Sequence, residues 1–110
     1  MPNLLSETIA ELNLDLTRPI LGLLQGLTAS ELEQTAIEVI LVHRRHVDEA
    51  ETLFEKVEEA KTQAVDPTEL AMLRRTYRVS MMRVHSFRFV VSAVVDALGY
   101  VPQVEPQVRS

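Results

Sequence analysis

The chain has 110 residues, 46% of them hydrophobic and 25% charged, with 11 Lys+Arg against 16 Asp+Glu and no cysteine. That length is one domain, that balance belongs to a folded chain, and the missing cysteines exclude disulfides, thiolate metal sites and thiol nucleophiles. A formal net charge of −5 argues against a main task of holding phosphate backbones, and 3 Gly with 5% aromatics are thin material for an all-β sandwich.

Residues 1–27 are apolar and irregular. Two pieces, LLSETIAEL (4–12) and PILGLLQGL (19–27), read as short N-terminal helices able to cover whatever follows. The start lacks a basic n-region and an A-x-A site, and no apolar run reaches the ~18 residues of a membrane span. A cytoplasmic chain with neither leader nor membrane segment is expected.

A first long helix is predicted over 28–63, which contains no Gly or Pro. It opens on Thr28-Ala29-Ser30-Glu31, where the Thr28 hydroxyl can accept from the Glu31 N–H and the Glu31 carboxylate from the Thr28 N–H, a reciprocal capping box. A second is predicted over 66–98. Asp66 caps it, Pro67 sits where its missing N–H costs nothing, Gly99 can close it in a left-handed conformation, and Pro102 bars continuation. Residues 99–110 form an extended tail, and 1–110 make a single helical domain.

Apolar spacing sets the packing. In the first helix Leu32, Ala36, Val39, His43, His46, Ala50, Leu53, Val57, Ala60 and Ala64 fall at alternating steps of four and three. In the second Leu70, Leu73, Tyr77, Ser80, Val84, Phe87, Val91, Val94 and Leu98 do the same. A repeat of about 3.5 residues keeps one stripe facing one partner, and the short link near residues 64–65 makes the helices antiparallel. The expected fold is all-α: a long, coiled-coil-like helical hairpin, each arm about 50 Å at ~1.5 Å per residue. Nine acids and four bases over 28–63, against three acids and five arginines over 66–98, favour that pairing.

Two helices do not bury everything apolar here. Ile37, Ile40, Leu41, Val47 and Phe54 lie off the first stripe, and Met82 and Phe89 project nearly opposite Val84 and Val91. The run Phe87–Leu98 is apolar almost all round, as in a helix covered on several sides. The surface left over predicts a homodimer with further apolar area reserved for a different partner.

Little in the chain is chemical. His43 and His46 share one helix face and His85 lies opposite, so three imidazoles could in principle ligate zinc, but the stripe through Val84 and Phe87 turns His85 away. The run is not HExxH, no serine lies in a G-x-S-x-G elbow, and no Lys-Ser/Thr follows Gly22 and Gly26. Paired carboxylates such as Asp48/Glu49 and Glu58/Glu59 read as solvation. No catalytic residue, cofactor, metal, small-molecule substrate or direct nucleic-acid contact is expected. A helical interaction protein is the reading of the residues alone, with a metal-binding bundle and a coiled-coil adaptor as alternatives.

RPILGL at 18–23, HRRHVDEAETLF at 43–54 and HSFRFVVSAVVDALGYVPQV at 85–104 resemble the TraM family of quorum-sensing antiactivators from plasmid-bearing rhizobia and agrobacteria. The similarity runs from about residue 18 to 104, is weakest over Lys61 to Thr76, and leaves 1–17 outside. It implies a small all-helical dimer that binds a TraR-like, LuxR-type transcription factor responsive to an acyl-homoserine lactone. Such a protein keeps the factor from promoter DNA and holds conjugal plasmid transfer off, with no substrate or cofactor. Carried over by position, Ile20, Leu23, Leu32, Val57 and Tyr77 contact the partner or support that surface. Val57 and Tyr77 also lie on the seam stripe, where packing is the competing role. His46 departs from the family, which has an apolar residue there.

Overall fold

The structure, a computed structural model, describes residues 16–105. The piece at 4–12 and the tail beyond residue 105 lie outside them. Helix α1 covers residues 16–24, α2 spans Ala29–Thr62 and α3 spans Pro67–Leu98, with no strand among the described residues. The chain is all-α, and α2 and α3 form an antiparallel hairpin with extensive mutual packing.

Each helix end has a local cause. Thr28 Oγ1 accepts from the Glu31 N–H at 3.1 Å and Glu31 Oε1 from the Thr28 N–H at 3.0 Å, so the capping box is complete. Those bonds, the backbone one first, hold the Glu31 carboxyl below its usual value. Asp66 accepts from the Thr68 N–H at 3.4 Å to start α3, and Gly99 closes it at φ 93°, donating to Val95 O at 2.8 Å. The turn between the helices corrects one expectation. Ala64 is not a seam residue: it is exposed and left-handed at φ 51°, and the Val65 N–H donates to Ala60 O at 3.4 Å. That 6→1 closure needs a positive φ, a position where glycine is the usual occupant.

The seam itself runs where the spacing places it. Ala36, Ala50, Val57 and Ala60 are the buried residues of α2, and Ser80, Val84 and Val94 are buried opposite them on α3. Most are small: three alanines and a serine among the seven. The register is antiparallel about the turn. Phe54 meets Tyr77, His46 meets Phe87, and Arg88 acts on His43, all nearly equidistant from residue 65.

Further layers cover the end remote from the turn. Leu21 of α1 shares a cleft with Phe89, Ala93 and Asp96, and Ala93, off the seam, is 7% exposed. The tail folds back along α2: Pro102 is buried, and Arg44 Nη1 donates to Glu105 O at 3.1 Å. Desolvation first, then the charge of the Glu33 carboxylate, raises the Tyr100 phenol above its usual value. The radius of gyration is 18.3 Å, against about 13 Å for a compact chain of this length.

Candidate functional site

A groove of about 510 Å³ opens between α2 and α3 in the half nearer the turn. Its apolar walls come from Val47, Ala50, Phe54, Tyr77, Met81 and Val84. The Phe54 and Tyr77 rings pack with centroids 5.8 Å apart and planes tilted by 52°. Phe54 stays 48% exposed, while Ala50 and Ser80 of the seam are 4% and 1% exposed. Glu51 and Glu55 stand along one side and Arg88 at the end. An apolar floor with a carboxylate rim suits an apolar anchor on a basic protein.

The histidines form a separate layer. His46 meets Phe87 edge-on at 5.4 Å between centroids. His43 Nε2 is buried and unpartnered. Burial first, then the Arg88 charge, holds that imidazole below its usual value, partly opposed by the Val84 backbone. His85 is exposed on α3, and no three His, Asp or Glu side chains gather to hold a metal among the described residues. Cross-helix charge contributes little: Arg83 and Glu49 approach to 3.9 Å with both side chains more than half exposed.

The five residues singled out by resemblance fall in two places. Ile20 and Leu23 lie on α1 and Leu32 in the first turns of α2, at the end remote from the turn. Leu23 is 80% exposed, a large apolar side chain standing in water. Val57 and Tyr77 lie towards the turn; from Leu32 to Val57 along α2 is about 37 Å at ~1.5 Å per residue. Tyr77 lines the groove, whereas Val57 is 6% exposed inside the seam and acts on a partner only by shaping the groove above it. Composition and spacing missed Met81 and Arg88 as groove residues. Phe54, flagged as off the stripe, was the available signal.

The sequence model of a family described as "Prokaryotic Transcriptional repressor TraM" matches residues 6–103, reaching further towards the N-terminus than the three similar stretches do. A relative from Agrobacterium fabrum (strain C58 / ATCC 33970), "Transcriptional repressor TraM", is 32% identical over 88 residues, 77% of this chain and 81% of the relative. A protein of the same description from Rhizobium radiobacter is 29% identical over 87 residues, 79% of this chain and 83% of the relative. No solved structure matches.

Proposed function

Since this chain belongs to the family of prokaryotic TraM transcriptional repressors, a regulatory family without enzymatic activity, we propose that it is an antiactivator of a LuxR-type, TraR-like quorum-sensing factor. It binds that factor, blocks its access to promoter DNA and so represses plasmid conjugal transfer genes. The observation that carries this reading is the groove at Tyr77, with its apolar floor and carboxylate rim. An activator that binds DNA through a helix-turn-helix domain presents a basic surface. Apolar anchors from that domain fill the groove and gain most of the affinity, while the net charge of −5 speeds encounter. Covering the recognition helix and holding two DNA-binding domains at the wrong spacing both remove the activator from DNA.

The chain works as a cytoplasmic homodimer in this reading. Leu16, 61% exposed on α1, supplies apolar surface that a lone chain leaves wet. Among the described residues no helix is long and apolar enough to cross a membrane.

Leu23→Asp and Tyr77→Asp are expected to abolish complex formation while far-UV circular dichroism stays unchanged. A mobility-shift assay with a TraR-like activator on its promoter fragment checks this. If both variants still release the activator from DNA, neither the groove nor α1 is the docking site.

A further inference from the structure

The outer face of α3, turned away from α2, carries a second apolar stripe. Met72 and Val79 are seven residues apart, Met82 follows three later and Phe89 seven beyond that, so they stack along one side of the helix. The far part of this stripe is covered by a helix: Leu21 of α1 lies in the cleft with Phe89 and Ala93. Among the described residues nothing covers the near part. Met72 is 59% exposed, Val79 43% and Met82 58%.

Charge says what kind of helix would complete it. Between Glu69 and Asp96, α3 contains five arginines and no acid. Arg75 stands among these apolar residues and Arg78 beside them, both exposed, while Arg83 turns towards Glu49 of α2. A second copy of this chain is a poor match. Pairing this face with itself brings Arg75 and Arg78 of both copies to one strip, with no α3 carboxylate between Glu69 and Asp96 to offset them. On α2, which has the acids, Phe54 is the one exposed large hydrophobic residue and it belongs to the groove. The described part of α1 has no acid at all and carries Arg18.

We propose that the bare face of α3 at Met72, Val79 and Met82 docks an acidic amphipathic helix of another protein. This partner is opposite in charge to a DNA-binding domain, so the site is separate from the groove at Tyr77. Flexible methionines adapt to the apolar side of the incoming helix, and Arg75 and Arg78 meet its carboxylates. Nucleic acid is the less favoured occupant, because the arginines are interleaved with methionine and valine rather than with stacking aromatics.

The test uses the full chain and a fluorescein-labelled synthetic helix of about three heptads, with leucines on one face at three- and four-residue spacing and glutamates along both edges. Anisotropy should report binding that weakens as salt rises, a loss of about tenfold in Met82→Glu and in Arg75→Glu, and retention in Met82→Leu. Circular dichroism of each variant confirms that it is folded. Equal binding of a lysine-edged counterpart overturns the proposal, as does undiminished binding by both charge variants. So does conversion of a dimer to a monomer by Met82→Glu in sedimentation velocity, which assigns the face to a second copy. A labelled single-stranded oligonucleotide bound as tightly as the peptide also overturns it. Met82 and Arg75 lie outside the groove, so loss of the peptide and loss of the activator in Tyr77→Asp are read independently.

Discussion

The two ends of the hairpin are built from similar residues and have different fates. At the end remote from the turn, α1 lies on α3 and the tail lies on α2, so Val94 falls to 2% exposure and Ala36 to 0%. Towards the turn, where only α2 and α3 are described, burial is confined to residues of the seam such as Val57, Ala60 and Ser80, while Phe54 and Met72 stay in water. A helix pair seals a narrow strip and nothing more; a third or fourth layer makes a core. The end without those layers holds the groove, the ring pair and the bare methionines.

That contrast can be broken most forcefully at Val94. Val94→Asp puts a carboxylate where layers meet on several sides, and a loss of about 3–5 kcal/mol is expected in urea unfolding. Met72→Asp, on the uncovered end, should change stability by no more than about 0.5 kcal/mol. A similar cost for both would show the ends to be equally packed. Ser80 sharpens the comparison from inside the seam. Its hydroxyl is buried and has no partner, so Ser80→Ala should stabilise by about 1 kcal/mol in the same assay.

At the turn, Ala64 holds a left-handed φ, and Ala64→Gly should raise stability by about 0.5–1 kcal/mol. The smallest effect concerns pH. His43 lies below its usual value near 6.5, so the folded chain refuses a proton that the unfolded chain accepts as pH falls through that value. Stability is then full above that value and declines below it. Melting temperatures taken from about pH 8 down to about pH 5.5 should fall in the wild type and fall less steeply in His43→Gln.

Helix caps and the seam were legible because each rests on residues close in sequence. Thr28 and Glu31 satisfy each other three residues apart, and Ala36, Ala50 and Val57 recur at a spacing that only a helix brings to one side. The turn was less legible: the seven-residue rhythm continues through Ala64, and nothing in an alanine announces a left-handed backbone. The groove depends on which off-stripe residues receive a cover. Val47 and Phe54 look alike by spacing, yet Val47 is half-buried and Phe54 is not. The fold-back of the tail is a contact between Arg44 and Glu105, residues far apart in the chain with no periodic signal. Resemblance singled out Leu23, Val57 and Tyr77 alike; the structure sets Tyr77 on the groove, Leu23 in solvent and Val57 inside the seam.

The facing pairs at equal distance from the turn have a consequence for descent. A loop lengthened or shortened at residues 63–66 leaves Phe54 opposite Tyr77 and His46 opposite Phe87, provided both arms keep their phase. An insertion inside either arm instead slides every rung beyond it. Relatives should therefore differ freely in the size of that loop and hardly at all in the length of the arms between their matched rungs.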